Sequence, residues 1–365
     1  MSPLTQRLAR RIALQGPISI ATYMAEALGH PQHGYYMRQD PFGRDGDFIT
    51  APEISQMFGE LIGLWCVEMW RLMDAPAQFR LVELGPGRGS LIADALRAAQ
   101  IRPEFQSAAS THLVETSPAL RALQQQRLHD ADAAITWHDD LAQVPDGPMI
   151  LIANEFFDAL PIHQFERRPE GWRERMVSFA EDRFTLVLNR QMTPQTALIP
   201  ESLNRSAEAG AIAEICPAGI AIAAAIADRI AEFGGAALVI DYGYCRHRAA
   251  NTLQAVQNHN VHDFLSDPGS ADITAHVDFA ALTHAAGAAG THGPVTQGDF
   301  LKQLGIGIRA KQLSQRATPA QARDIDSACK RLIDPSEMGI LFKVLAISHP
   351  DMAAPPGFDQ PAETG

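Results

Sequence analysis

A glycine-rich stretch between residues 82 and 90 has the residue types and spacing of a ligand-binding turn. It reads VELGPGRGS, with Gly85, Gly87 and Gly89 placed so that the backbone can approach a ligand closely. A dinucleotide-binding motif would need its third glycine at position 90, where this chain has Ser90. The acid two residues before the first glycine, Glu83, would oppose a pyrophosphate and suits a cationic amino group. S-adenosylmethionine has that amino group and no phosphate, so the pattern predicts this cofactor; a tight turn with incidental glycines is the alternative.

Polar side chains follow the next predicted strands, at the edge where parallel sheets bind ligands. Glu115 ends the second strand, a position from which a carboxylate accepts hydrogen bonds from both ribose hydroxyls. Asp139, Asp140 and Leu141 follow the third strand and are predicted to contact the adenine, although adjacent surface acids are also common. Asn154 ends the fourth strand and completes the predicted cofactor contacts.

Two further acids, Glu155 and Asp158, come directly after the fourth strand and are predicted to be catalytic. Methyl transfer needs an acceptor that is desolvated, aligned and relieved of any proton it must lose. A guanidinium acceptor suits two carboxylates, which can hold its planar fork and localise electron density on the attacking nitrogen. In the alternative interpretation the pair caps the following helix, whose N-terminus favours acids.

A long loop over residues 29–52, rich in glycine, aromatic and charged residues, is predicted to close over cofactor and acceptor. A loop of this length within a compact domain is usually functional. Its substrate-binding candidates are Asp47 and Thr50, together with Glu53 directly after the loop. Asp241, at the end of the fifth predicted strand, is a further candidate for the acceptor channel.

Short apolar strands alternate with helices from residue 79 onward, which predicts a mostly parallel sheet with helices on both faces. The strands are predicted at 80–84, 112–115, 135–137, 149–153, 236–240 and 341–347. The fold class is therefore α/β, with a Rossmann-like core over 76–349 and an antiparallel α+β insertion at about 163–216. Residues 1–75 are predicted to form a helical cap with the lid loop. Residues 350–365, rich in proline, are predicted to be a disordered tail.

Composition narrows the class of protein and of partner. The 365 residues, 46% of them hydrophobic, can bury one large core or two smaller ones. A net charge of -12 argues against a nucleic acid or an anionic membrane surface as the main partner. No stretch approaches the roughly 20 apolar residues of a membrane span. Four cysteines without a CxxC pair and thirteen histidines without an HExxH motif indicate neither a disulfide framework nor a metal site.

Taken in order, these motifs resemble the MidA-type class I methyltransferases, a family that includes a mitochondrial complex I assembly factor. The resemblance covers nearly the whole chain and lies in GPIS at 16–19, GDFITAPEIS at 46–55, ELGPGRG at 83–89, NEFFDALP at 154–161, DYG at 241–243, DITAHVDF at 272–279 and QGDFL at 297–301. Two departures are small: Ala51 stands where a serine is usual, and Asp299 occupies a position that varies.

The resemblance implies a class I methyltransferase fold, with S-adenosylmethionine as cofactor and S-adenosylhomocysteine as its product. It also implies a protein substrate, because the mitochondrial member dimethylates an arginine of a core complex I subunit and supports assembly of that complex. By analogy, a bacterial member acts on the corresponding quinone-reductase subunit. Family-like sequence already begins at Gly16, which favours a bacterial cytoplasmic protein, with the mitochondrial matrix as the alternative. The sequence does not indicate an oligomeric state.

Two other functions stay open from the sequence. One is a methyltransferase that acts on a small molecule or on another type of side chain, which the mass of the product would separate from an arginine methyltransferase. The other is an assembly chaperone that keeps the cofactor pocket but does no chemistry. Partner maturation that survives Glu155→Gln and is lost with Gly87→Val would favour the chaperone.

Overall fold

The computed structural model describes residues 1–38, 50–131 and 133–358. Within these ranges the helices are α1 Pro3–Gln15, α2 Ile20–Gly29, α3 Tyr35–Arg38, α4 Ala51–Ile54, α5 Gln56–Leu72, α6 Ser90–Ala99, α7 Pro103–Ala108, α8 Pro118–Arg127, α9 Glu201–Ser206, α10 Pro217–Phe233, α11 Phe279–Ala285, α12 Gln297–Gln303, α13 Ile306–Ser314, α14 Pro319–Ile333 and α15 Met338–Leu341. The strands are β1 Ile18–Ser19, β2 Phe79–Leu84, β3 Ala109–Val114, β4 Ile135–His138, β5 Met149–Asn154, β6 His163–Arg168, β7 Gly171–Ala180, β8 Arg183–Leu188, β9 Ile212–Ile215, β10 Gly235–Tyr244, β11 Gln254–Gln257, β12 Asn260–His262, β13 Asp272–Thr274, β14 Val277–Asp278, β15 Gly290–Thr296 and β16 Phe342–Ser348.

The chain divides into two compact units, each assembled from separate segments. The first unit comprises the described residues of Met1–Phe48, Phe157–Ile222 and Arg246–Ala281. The second unit comprises the described residues of Ile49–Phe156, Ala223–Cys245 and Leu282–Gly365. No helix in the described ranges is long and apolar enough to cross a membrane.

A sheet of alternating strands and helices forms the core of the second unit. Its strands pair in the order β15-β16-β10-β5-β2-β3-β4. The strands from β10 to β4 are parallel, whereas β16 is antiparallel to β10 and β15 is antiparallel to β16. Every residue of β5 is buried, as expected for a central strand covered by helices on both faces. The predicted α/β fold class is confirmed.

Helix α5 packs closely against α6 in this unit. An apolar stripe along α5 is buried, at Phe58, Leu61, Ile62, Trp65 and Met69. Gly59 and Gly63 let the two helices approach, because a Cβ on Gly63 would lie 2.5 Å from the carbonyl oxygen of Ala95. A Cβ on Gly59 would lie 2.6 Å from the Cβ of Asp94. Small residues one helical turn apart therefore set the distance between α5 and α6.

The first unit is built on short antiparallel strands. One sheet has the order β1-β7-β6-β9, with β8 paired to β7, and a smaller sheet has the order β12-β11-β13. Helices α1 and α2 each begin at a serine, Ser2 and Ser19, whose hydroxyl accepts a hydrogen bond from a backbone amide of the first turn. The hydroxyl of the fully buried Tyr23 on α2 donates to the carbonyl oxygen of Phe264 at 2.9 Å.

The two units differ in extent from the predicted cap, core and tail. Helix α5, assigned to a cap over residues 1–75, belongs to the second unit, and the insertion at 163–216 shares the first unit with residues 1–38. Residues 350–358 also differ from the predicted disordered tail. The indole of Trp65 donates to the carbonyl oxygen of Pro356 at 3.2 Å, and Phe358 is buried against Phe300. Residues 359–365 lie outside the described part of the chain.

Candidate active site

The strand order of the second unit reverses between β2 and β5. From β2 the chain proceeds outward through β3 and β4, and it then returns to β5 on the opposite side of β2. In open α/β sheets, such a reversal leaves a crevice at the carboxyl ends of the two strands, and ligands bind there. The glycine-rich turn follows β2 and Glu155 follows β5, so both predicted sites lie at this edge.

The glycine-rich turn has a backbone that side chains would disturb. Gly85, Gly87 and Gly89 have φ values of 59°, 54° and 77°, in the left-handed region that favours glycine. A Cβ on Gly85 would also lie 2.9 Å from the Cδ2 atom of Phe156. The amide of Gly89 donates to the carbonyl oxygen of Pro86 at 2.7 Å and closes the turn where α6 begins. Bare backbone is therefore presented at the crevice.

Glu83 is buried beside this turn with one carboxylate oxygen unsatisfied. Its exposed fraction is 3%, and Oε2 has no hydrogen-bond partner among the described residues. Burial raises the pKa of Glu83 to about 8, an effect that the backbone amide of Ile92 partly offsets. A buried acceptor without a donor is costly, so its retention here points to a ligand that supplies the donor. The ammonium group of S-adenosylmethionine has the charge and the hydrogens that this oxygen lacks.

Glu115 lies just past β3 with its carboxylate held from two sides. Oε1 accepts a hydrogen bond from the backbone amide of Ser117 at 2.8 Å, and Oε2 accepts one from Nε2 of Gln124 at 3.3 Å. Burial raises the pKa of Glu115, and these two donors partly counteract the effect. The carboxylate is fixed in orientation and retains lone pairs for further donors such as ribose hydroxyls.

The acids predicted to contact adenine have protein partners. Asp139 Oδ1 lies 2.5 Å from Nη2 of Arg121, and the Asp139 side chain is 68% exposed. Asp140 accepts a hydrogen bond from the backbone amide of Ala142 at 2.8 Å and so caps the short helical turn that begins at the buried Leu141. These contacts hold the loop after β4 in position. They do not show that Asp139 or Asp140 binds a ligand.

At the end of β5, Glu155 has an unusual backbone conformation and a structural contact. Its φ is 49°, which non-glycine residues rarely adopt and which tends to occur at functional sites. Its Oε1 accepts hydrogen bonds from Nδ2 of Asn154 and from the backbone amide of Ala51, both at 3.2 Å. Oδ1 of Asn154 is buried and has no partner within the described ranges. Glu155 therefore accepts a hydrogen bond from the first backbone amide of α4, whereas residues 155–162 form no helix that the two acids could cap.

The segment of residues 50–54, which we call the strap, is tied at both ends. Ala51 contacts Glu155, as above, and Oε1 of Glu53 accepts a hydrogen bond from the hydroxyl of Ser90. Nη1 of Arg88 lies 4.0 Å from Oε2 of Glu53. The strap thus connects the end of β5 with the start of α6. Thr50 is the N-cap of α4 but makes no side-chain capping hydrogen bond, and Asp47 lies outside the described residues.

Asp241, the candidate at the end of β10, is fully buried. Its Oδ1 accepts a hydrogen bond from the backbone amide of Tyr242 at 2.9 Å. Within the described ranges, no group of three or more histidine, cysteine or acidic side chains is arranged to hold a metal ion.

The other predicted catalytic acid, Asp158, belongs to the first unit, whereas Glu155 belongs to the second. Asp158 is 6% exposed, and its carbonyl oxygen accepts a hydrogen bond from Ala275 at 3.0 Å. In the same unit the hydroxyl of Tyr36 donates to Oδ1 of Asp272 at 2.8 Å. Burial raises the pKa of Tyr36 well above its ordinary value, and the charges of Asp272 and Asp158 raise it further. Two buried acids and a tyrosine therefore come together in this unit.

Sequence reasoning did not single out three of these residues. Ser90 had a signal, because it stands where a dinucleotide motif has glycine. Gln124 also had one, since it follows Leu120 and precedes Leu128 at four-residue spacing, which places an amide on the apolar face of a helix. Tyr36 lies in the long predicted loop, and nothing in its spacing pointed to Asp272.

Comparison with known proteins identifies the family. The family model described as "Putative S-adenosyl-L-methionine-dependent methyltransferase" matches residues 61–295. The mitochondrial protein arginine methyltransferase NDUFAF7 homolog of Drosophila melanogaster is 40% identical, over 96% of this chain and 86% of its own length. Protein arginine methyltransferase NDUFAF7 of Mus musculus is 39% identical, over 95% of this chain and 84% of its own length.

A solved structure supports the same assignment. A Burkholderia thailandensis protein crystallised with S-adenosyl-homocysteine matches at a TM-score of 0.85 and 29% identity, over 99% of this chain and 95% of its own. The predicted family, fold class and cofactor are thereby confirmed. The chain belongs to the family of S-adenosylmethionine-dependent methyltransferases.

Proposed function

We propose that this methyltransferase transfers its methyl group to an arginine side chain of a partner protein. The observation that carries the proposal is the near full-length similarity to relatives named protein arginine methyltransferases. The net charge of -12 is compatible with a basic acceptor.

In the cofactor half of the proposed site, each group of residues has one role. Glu83 holds the ammonium group, the turn over Gly85, Gly87 and Gly89 lies along the cofactor, and Glu115 accepts the ribose hydroxyls. Asn154 offers its unpartnered Oδ1 at the adjacent strand end. We retain Asp139, Asp140 and Leu141 as the adenine side of the site.

In the acceptor half, Glu155 and Asp158 are the proposed catalytic residues. The bound cofactor supplies an electrophilic methyl group. A carboxylate at either position is suited to hold a guanidinium and to accept the proton that the attacking nitrogen loses, as the bond from that nitrogen to the methyl carbon forms and the bond from the methyl carbon to the sulfur of the cofactor breaks. Thr50, Asp47 and Asp241 remain candidates for acceptor binding. Glu53, already engaged by Ser90, is better suited to holding the strap.

We infer the partner protein and the cellular location by analogy with the family. The proposed acceptor is a subunit of a respiratory NADH-quinone oxidoreductase, and the proposed role is support of its assembly. We place the protein in a bacterial cytoplasm, with the mitochondrial matrix as the alternative, because the named relatives are mitochondrial proteins. Fractionation of the source cells tests the location.

The acceptor is tested by incubating the protein with S-adenosylmethionine carrying a labelled methyl group and a lysate from cells that lack the enzyme. Acid hydrolysis of the labelled protein fraction should yield methylated arginine. Glu155→Gln should bind S-adenosylhomocysteine like wild type and transfer little label, whereas Gly87→Val should fail in both assays. Label recovered in methyl-lysine or in a small molecule would contradict the arginine proposal while leaving the methyltransferase intact.

A further inference from the structure

Helix α8 presents three polar side chains toward the cofactor half of the proposed site, at a spacing of three residues. Arg121 donates to the carbonyl oxygen of Glu115 through Nε at 2.7 Å, and it also pairs with Asp139. Gln124 contacts the glycine-rich turn, and Nη1 of Arg127 lies 2.6 Å from the hydroxyl of Ser90. Residues three apart on a helix share a face. Helix α8 therefore contacts the glycine-rich turn, Glu115 and the start of α6.

Gln124 is the buried member of this row. It is fully buried, and Nε2 donates to the carbonyl oxygen of Gly87 at 2.7 Å and to Oε2 of Glu115 at 3.3 Å. Its Oε1 accepts a hydrogen bond from the indole of Trp137 at 2.8 Å. An indole nitrogen can only donate, so Oε1 must face Trp137. The amide hydrogens are consequently directed at Gly87 and Glu115, and the orientation of the amide is unambiguous.

We infer that Gln124 is a positioning residue for cofactor binding, which holds the glycine-rich turn and the ribose-binding acid in register. The inference rests on the proposed cofactor site and extends it to a residue that acts through its contacts with Gly87 and Glu115. Glycines at positive φ leave the turn with high conformational freedom, which a fixed donor on the Gly87 carbonyl reduces. The same amide stabilises the ionised form of Glu115 against its burial.

The test compares two glutamines that are neighbours on α8. Gln125 is exposed, so Gln125→Met makes the same chemical change without touching the site. Titration calorimetry with S-adenosylhomocysteine at pH 8 should give a dissociation constant roughly tenfold higher for Gln124→Met than for wild type or Gln125→Met. Circular dichroism of each protein verifies the fold before the titration.

The pH profile separates positioning from general loss of structure. Without its amide donor, Glu115 should become protonated at higher pH, and a protonated acid accepts ribose hydroxyls poorly. The ratio of the Gln124→Met and wild-type dissociation constants should therefore be larger at pH 6 than at pH 8. The other charged groups around Glu115, which are Arg121 on α8 and the His138–Asp139 end of β4, are the same in both proteins and cancel in the ratio.

If Gln124→Met does not fold, Trp137→Phe carries the test. This change keeps an aromatic ring but removes the donor that fixes the amide, and it should weaken S-adenosylhomocysteine binding by about threefold, again more at pH 6. Equal affinities and pH profiles for wild type and the folded variant would overturn the inference but leave the cofactor site standing. Absence of binding by wild type would instead refute the proposed cofactor site itself.

Discussion

At the scale of single residues, Glu83 connects burial with cofactor binding. Its folded pKa of about 8 lies above the ordinary value of 4.5, so the folded protein binds more protons than the unfolded chain between these pH values. With respect to this group, stability is therefore greatest below pH 4.5 and decreases as pH rises toward 8. A bound ammonium group reverses the preference, because it favours the ionised carboxylate.

This reversal predicts that cofactor binding releases a proton. At pH 6.5 the amino group of S-adenosylhomocysteine is already charged, since α-amino groups titrate near pH 8. Calorimetry in two buffers of different ionisation enthalpy should show release of up to about one proton per wild-type protein. Glu83→Gln should bind more weakly and release none. Equal proton release by both proteins would show that the proton comes from another group.

A second residue-scale prediction concerns the histidine pair on β3 and β4. Nδ1 of His112 lies 2.9 Å from Nε2 of His138, which requires one ring to donate and the other to accept. Burial, followed by the nearby His138, lowers the pKa of His112 to about 4 from an ordinary 6.5. The unfolded chain then binds more protons between pH 4 and 6.5, so stability is present above 6.5 and is lost as pH falls.

After a discount for solvent screening, lowering the pH from 7.5 to 5 should reduce the free energy of unfolding by about 1 kcal/mol more in wild type than in His112→Leu. Urea unfolding at the two pH values measures the difference. Parallel losses in the two proteins would mean that His112 does not contribute to the acid sensitivity.

At the scale of elements, the strap connects two parts of the proposed site. It joins the end of β5 to the start of α6 through Glu155 and Ser90, and Ser90 is in turn held by Arg127. Ser90→Ala removes the hydroxyl that connects strap and helix, and we expect S-adenosylhomocysteine affinity to fall about fivefold. Ser90→Thr should restore most of it. The control is Ser107→Ala, whose exposed hydroxyl bonds only its own helix. Unchanged binding by Ser90→Ala would exclude this role.

The crossing of α5 and α6 gives a prediction about packing. A methyl group on Gly63 would meet the backbone of Ala95 rather than a movable side chain, so Gly63→Ala forces the helices apart. Overpacking of this kind should lower the free energy of unfolding by about 2 kcal/mol. Gly307→Ala on α13 is the matched control, because a Cβ there meets nothing within 4 Å. Chemical denaturation of both variants measures the difference in the free energy of unfolding. Similar denaturation midpoints for Gly63→Ala and Gly307→Ala would mean that the two helices move apart at little cost.

At the scale of the whole molecule, the parallel core was predictable because its strands are short apolar runs that alternate with helices. The glycine-rich turn was also predictable, because the turn and Glu83 are adjacent in sequence. The first unit was not, because it combines segments from three distant parts of the chain that no periodicity connects. The contact of Glu53 with Ser90 and that of Tyr36 with Asp272 span sequence separations that only the folded chain brings together. Asp158 and Glu155, three residues apart, likewise gave no sign that they belong to different units.

The central claim, a cofactor site built on Glu83, the glycine-rich turn and Glu115, is tested most directly by calorimetric titration. S-adenosylmethionine and S-adenosylhomocysteine would each be titrated into wild type, Gly87→Val and Glu115→Ala. We predict saturable binding of one equivalent by wild type and loss of it in both variants. A β-branched side chain at position 87 would have to adopt a positive φ, and removal of the Glu115 carboxylate leaves the ribose without its acceptor. Wild-type protein that is folded but gives neither heat nor a thermal shift with either ligand, or variants that bind as wild type does, would contradict the account.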